Sequence, residues 1–116
     1  MRKTKIVHIL HSAGGVDVSL RLILENINTS DFENIVIHGF KDTNAIFTDK
    51  NSNTIVEYKL PISRDISPLN DIVAIVKSYF IIRKEKPDLI HAHSAKGGVI
   101  GRLIGMLTGI KVLFTP

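Results

Sequence analysis

Four glycines spaced by four residues, Gly97, Gly101, Gly105 and Gly109, constrain this chain more than any other feature. They follow a short apolar run, Leu89 to Ala92, and sit in a segment that reads as a helix. Spacing by four puts the first three on one helical stripe. Each interior glycine costs about 1 kcal/mol of helix propensity relative to alanine. A stripe of them is sustainable only where something packs very close to that face, most simply a sheet. The stretch Pro87 to Gly109 therefore reads as a buried strand, a polar loop (His93 to Lys96), a Gly97-Gly98 turn and a helix. Strand, glycine-rich loop and helix N-terminus in that order build a site for an anionic or sugar ligand in open α/β sheets.

The rest of the chain repeats the alternation. Lys5 to Leu10 is β-rich and runs into His11-Ser12-Ala13-Gly14-Gly15. A helix follows with a core-facing stripe of Val16, Leu20, Ile23, Leu24 and Ile27. Asn34 to His38 and Ile55 to Leu60 are strands two and three. The polar segment between them, Lys41 to Asn53, has one helical turn expected at Ala45-Ile46-Phe47. Ser67 caps a second helix with Pro68 at its first position. Leu69, Ile72, Val73, Val76, Tyr79 and Phe80 mark its expected buried stripe, and Pro87 ends it. Lys111 to Thr115 is strand five. Such alternation implies a Rossmann-like open parallel sheet of about five strands, order 3-2-1-4-5, with helices on both faces. The switch point falls between strands one and four. There the loops His11 to Asp17 and His93 to Gly98 should meet at the carboxyl ends of the strands.

Composition narrows the class. The 116 residues suit one domain, 44% are hydrophobic and 22% charged, and cysteine is absent. A disulfide framework and thiolate metal sites are excluded. A net charge of +4 is too mild to argue for nucleic acid, and no apolar run approaches a membrane span. A dinucleotide site needs G-x-G-x-x-G and a later acid, but only Gly14-Gly15 is present and strand two ends Ile37-His38-Gly39. A P-loop needs lysine after its glycines, whereas Lys96 precedes Gly97. What remains is close approach of backbone N–H groups to a phosphate or a sugar hydroxyl.

The candidate site residues are those at the switch point. Gly14 and Gly15 would let the backbone approach a phosphate or a sugar hydroxyl; His11, Ser12, His93, Ser94, Lys96 and Gly97 are expected to line the cleft. His91 reads as a core histidine bonded to backbone, His8 as core or its edge, and His38 is undecided. His91 and His93 share a strand face, but no third metal ligand is identifiable, so no metal is expected. Ser12 and Ser94 lack a nucleophile elbow, which leaves hydrogen bonding or helix capping. Lys96 reads as a phosphate-neutralising group or, failing that, a solvated lysine. Arg64 and Asp65 read as a surface turn and, more weakly, as acceptor-binding groups. For Arg102 solvation or an ion pair is the default.

Three stretches together resemble the N-terminal domain of family 4 glycosyltransferases, the retaining enzymes of the GT-B type found in bacterial capsule, exopolysaccharide and lipopolysaccharide assembly. They are Lys5-Ile-Val-His-Ile-Leu-His-Ser-Ala-Gly-Gly-Val, Pro87-Asp-Leu-Ile-His-Ala-His-Ser-Ala-Lys-Gly-Gly-Val-Ile-Gly-Arg-Leu, and Gly109-Ile-Lys-Val-Leu-Phe-Thr-Pro. The resemblance implies that residues 1–116 are an acceptor-side half-domain, expected to be a fragment without the C-terminal donor-binding domain and inactive alone. It implies a nucleotide-sugar donor, a glycan or lipid-linked acceptor, no metal and no other cofactor. It places Gly14-Gly15 near the donor phosphates. A family histidine just after Thr-Pro and the E-x7-E carboxylates would lie beyond Pro116. Asp17 departs from the glutamate that many relatives carry after Gly-Gly-Val. The implied location is the cytoplasm, at or near the inner membrane face. The basic balance and Ile81-Ile82 leave room for membrane docking or a homodimer. Two alternatives stay open, half of a UDP-N-acetylglucosamine 2-epimerase and a stand-alone α/β binding module. The first would need acid/base groups in the cleft, where Asp17 is the one acid read from the loops.

Overall fold

The computed structural model describes residues 2–40, 42 and 45–116. Eight elements follow one another: β1 (Thr4–Ile9), α1 (Gly14–Asn26), β2 (Phe32–Gly39), β3 (Val56–Leu60), α2 (Pro68–Glu85), β4 (Leu89–His93), α3 (Ser94–Thr108) and β5 (Lys111–Thr115). The strands form one sheet in the order β3-β2-β1-β4-β5, and every pairing is parallel. The chain runs outward from β1 to β3, then returns to β4 beside β1. The order and class expected from the alternation hold.

Strand alternation divides the core between the two faces of the sheet. Val7, Ile9, Ile35, Ile37 and Ile90 pack with Ala74 and Ile82 of α2 and Ile100 and Ile104 of α3. On the other face Leu10 and Val36 pack with Leu20 and Leu24 of α1, and with Phe47 and Ile55. Each fully buried leucine contributes about 1.5–3 kcal/mol relative to exposure. The glycine stripe does what its spacing demands. A Cβ on Gly97 would fall on the Ile9 carbonyl oxygen, one on Gly101 would come to 2.7 Å from Ala92 Cβ, and one on Gly105 would strike Val112. The sheet itself occupies the space that side chains would need.

Three expectations are corrected. The loop His93–Lys96 and the Gly97-Gly98 turn do not exist as such: β4 ends at His93 and α3 starts at Ser94, so both glycines are helical. The sharp change of direction is absorbed at Ser94, whose φ is 61°. α1 begins the same way, at Gly14 with φ 57°, a conformation that glycine adopts without a steric penalty. The helical turn at Ala45–Phe47 is absent. Arg21 takes the carbonyls of Ala45 (2.9 Å) and Ile46 (2.7 Å), and Ile55 N–H takes that of Phe47 (2.9 Å). The parts of that segment at Lys41, Thr43 and Asn44 lie outside the described residues.

The third correction concerns α2. Of its expected buried stripe Tyr79 alone packs against the core; Leu69 is 80% exposed, Ile72 58%, Val76 48% and Phe80 64%, while Ala74, Ser78 and Ile82 face inward. The helix is apolar around most of its circumference, so periodicity alone selects no face. Small Ala74 and Ser78 let the helix lie close to the sheet, and that packing decides its rotation.

Candidate functional site

Because β1 and β4 are parallel neighbours, α1 and α3 open side by side at the carboxyl end of the sheet. Two adjoining crevices lie there. One, about 350 Å³, is lined by Gly15, Val16, Ser19, His93, Ser94, Thr115 and Pro116. The other, about 480 Å³, is lined by His11, Ala13, Gly14, Val16, Arg64, Ser94, Ala95 and Lys96. Val16 and Ser94 belong to both. The structure thus brings together His11, Gly14, Gly15, His93, Ser94 and Lys96 from two distant stretches of sequence. No Cβ contact restricts the space above Gly14 or Gly15.

Two of the expected lining residues lie beneath the crevices instead. Gly97 is buried against β1. Ser12 is 1% exposed; its N–H donates to Asp42 Oδ2 (2.5 Å) and its hydroxyl to Asp17 Oδ1 (2.7 Å). Asp17 also accepts from Arg21 Nε (2.9 Å), and Arg21 lies over the Phe47 ring. Asp42 is a residue that sequence reasoning missed. Its side chain is fully buried, takes the Gly39 N–H (2.9 Å) as well as that of Ser12, and holds His11 Nδ1 at 2.7 Å. The available signal was its place just after strand two. Parallel strands end together, so a carboxylate three residues past Gly39 falls at the same end of the sheet as His11.

Lys96 is not a free cation. Its Nζ donates to Asp71 Oδ1 of α2 (2.6 Å) and to the Asp65 carbonyl (2.7 Å). That holds the β3–α2 turn against α3 and puts Arg64 at the mouth of the larger crevice. Arg102 sits over the Phe114 ring at 4.3 Å and makes no ion pair among the described residues. The N-cap of α3 is His93, which makes no side-chain capping bond, and Ser94 is the first helical residue.

Below the crevices the histidines form an array. His8 and His91 are register partners across β1 and β4, and this supplies the third imidazole that sequence spacing could not identify. His8 Nε2 donates to Asn34 Oδ1 (2.9 Å). Its Nδ1 then accepts from His93 Nε2 (3.0 Å). His91 stacks on His93 with centroids 3.8 Å apart and bonds the Thr115 hydroxyl at 2.7 Å, rather than backbone. Burial holds His8 down to about 4 and His93 down to about 3, and it also lowers His91. Both ring nitrogens of His8, Nε2 of His93 and Nε2 of His91 are engaged in these bonds. The candidate ligand nitrogens of His8, His91 and His93 all lie within 4.8 Å of one another, a spacing that could hold a metal ion. The array reads as a neutral, hydrogen-bonded core. His38, on the same sheet face, is fully buried and 3.2 Å from Glu57 Oε1.

Residues 13–116 match the sequence profile described as Glycosyltransferase Family 4. The chain belongs to that family. Among curated relatives it is 28% identical over 111 residues to the Escherichia coli UDP-Gal:alpha-D-GlcNAc-diphosphoundecaprenol alpha-1,3-galactosyltransferase. It is 24% identical over 108 residues to the Staphylococcus aureus capsular polysaccharide biosynthesis glycosyltransferase CapM. Each match covers 93% of this chain, which spans 28% and 27% of those relatives' lengths. Among solved structures, a glycosyltransferase from Rickettsia africae superposes with a TM-score of 0.73 at 19% identity, over 100% of this chain and 30% of that one. A putative UDP-N-acetylglucosamine 2-epimerase from Listeria monocytogenes gives 0.76 at 12% identity, over 99% and 32%. At such identities the structural likenesses establish the fold, a GT-B half-domain. Membership of the glycosyltransferase family rests on the sequence match.

Proposed function

We propose that this chain forms the acceptor-facing half of a retaining glycosyltransferase. The enzyme moves a sugar from a nucleotide-activated donor to a hydroxyl of a glycan or lipid-linked acceptor during assembly of a bacterial surface polysaccharide. One observation carries this reading: two helices open from adjacent parallel strands onto a shared crevice floored by Gly14 and Gly15, in a chain of family 4. The names of the E. coli and S. aureus relatives supply the substrate classes.

In this reading Gly14 and Gly15 let the α1 N-terminus approach the donor diphosphate, where N–H groups and the helix dipole favour negative charge. His11, Ser94 and Arg64 face the acceptor. Lys96 and Asp42 are positioning residues that hold the two loops. Ser12 is committed to Asp17, so catalysis rests on proximity and on stabilising the departing diphosphate rather than on a protein nucleophile. Donor recognition belongs to the part of the enzyme that the longer relatives contain beyond the matched region. The epimerase alternative loses ground because Asp17 and Asp42, the acids beside the crevices, are tied to the domain's own donors. A general acid or base must be able to reach substrate.

Calorimetry of this chain with UDP-sugars is expected to give no micromolar binding; a micromolar Kd would overturn the assignment of donor recognition elsewhere. In the polypeptide that joins it to a donor-binding half, Gly15→Ala should put a methyl into open crevice space and lower kcat/KM at least about tenfold. Unchanged transfer by that variant would remove the crevice from the reaction.

A further inference from the structure

Strand register gathers three imidazoles at one place under the crevices. One ring nitrogen each from His8, His91 and His93 lies within 4.8 Å of the other two, and no carboxylate belongs to the group. A tetrahedral zinc ion with Zn–N bonds of about 2.0–2.1 Å holds its nitrogens about 3.4 Å apart. His8 Nδ1 and His93 Nε2 stand at 3.0 Å, so an ion between them asks that pair to open by about 0.4 Å. His91 is only partly buried and stacks on His93; a turn about its soft χ2 bond swings a nitrogen toward the pair.

The surroundings suit ligation as well. A metal-bound histidine as a rule donates its other ring N–H to a carbonyl, a carboxylate or water, which fixes its tautomer. His8 already has that arrangement, with Nε2–H on Asn34 Oδ1 and the Nδ1 lone pair turned toward His93. Burial keeps His8 and His93 neutral at pH 7, and the neutral ring is the form that coordinates. His93 and Thr115 also line the smaller crevice, about 350 Å³, so the cluster borders on open space.

We infer that His8, His91 and His93 form a site for one late first-row divalent ion, zinc foremost, held between β1 and β4 beneath the crevice. Three imidazoles without a carboxylate select such an ion over magnesium and calcium, which take oxygen ligands. The ion replaces the proton shared by His8 Nδ1 and His93 Nε2. That proton moves to His93 Nδ1, so all three ligands stay neutral and no proton is lost. A water or an oxygen of a small anion from the crevice completes the tetrahedron. The site stands independently of the proposed transfer reaction.

The test is calorimetric titration of the chelator-treated chain with zinc chloride. One equivalent should bind with a micromolar or tighter Kd, while magnesium and calcium chlorides give no binding heat. At free zinc about a hundredfold above Kd, the unfolding temperature should rise by roughly 10 °C. Cobalt in place of zinc should show the intense visible bands of a tetrahedral ion. His91→Gln and His8→Gln should each weaken zinc binding at least about a hundredfold. His91 is partly exposed, so its variant decides the matter if His8→Gln does not fold. Asn34→Ala, which removes only the group behind His8, should weaken binding about tenfold. His11→Gln should bind zinc like the parent. Binding no tighter than millimolar, magnesium binding equally well, or a folded His91→Gln variant with the parent's affinity would overturn the proposal. So would loss of binding in His11→Gln, which would move the ion to the His11–Asp42 pair. Zinc binding by a chain whose crevice variants leave transfer unchanged would keep the metal site and sink the transferase reading alone.

Discussion

Glycine serves two opposite purposes within this chain, and substitution separates them. Gly97 is glycine because the Ile9 carbonyl occupies the place of its Cβ, and backbone cannot step aside as a side chain can. Gly97→Ala should destabilise the fold by about 3 kcal/mol, an overpacking penalty, read from denaturant midpoints. Gly15 has open space above it and lies in the first turn of α1. Gly15→Ala should stabilise by about 0.5–1 kcal/mol through helix propensity and a less flexible unfolded chain. A gain in stability together with a loss of transfer would mark Gly15 as kept for the crevice, not for the fold. A destabilised Gly15→Ala would refute that division.

At the scale of elements, the β1–β4 pair carries a pH dependence. His8 is held down to about 4 and His93 to about 3, mainly by burial, against an ordinary value near 6.5. Below that ordinary value the unfolded chain takes up protons that the folded chain refuses. Stability is therefore complete above about pH 6.5 and falls as pH drops toward 4. The slope is about 1.4 kcal/mol per pH unit for each histidine, about 2.7 for the two together. They share a hydrogen bond, so the pair titrates as a unit. Melting temperatures between pH 7.5 and about 4.5 should show this decline, and His8→Gln should flatten it by roughly the share of one histidine. An equally steep profile in that variant would place the acid sensitivity outside the array. The element α2 carries the contrary lesson about periodicity. Its hydrophobic count was readable, but the side facing the core was set by where two small residues, Ala74 and Ser78, fitted.

At the scale of the whole molecule, Lys96 is the tie between the layer built by α2 and α3 and the crevice. Its side chain is 12% exposed and that of Asp71 24%. Lys96→Met should cost about 1–2 kcal/mol, less than a fully buried pair because water still reaches the carboxylate. It should also speed amide exchange in the first turn of α2 while β1 and β4 stay protected. Uniform acceleration across the sheet would show that the contact supports the whole fold rather than this junction.

The alternation of strands and helices, the switch point and the glycine stripe were legible from sequence because each follows from local periodicity or from the absence of a Cβ. Family membership was legible in the motifs around Pro87 to Gly98. What only the tertiary structure decided are relations between distant residues. Asp42 reaches Ser12 and His11 because parallel strands finish at one end of the sheet. His8 meets His91 because of strand register. Gly97 sinks below the crevices because α3 starts one turn earlier than the glycines suggested, and Ser12 because Asp42 and Asp17 take its N–H and its hydroxyl. The outward side of α2 was settled by close packing, which chooses among several apolar faces of a helix and leaves no trace in its hydrophobic pattern.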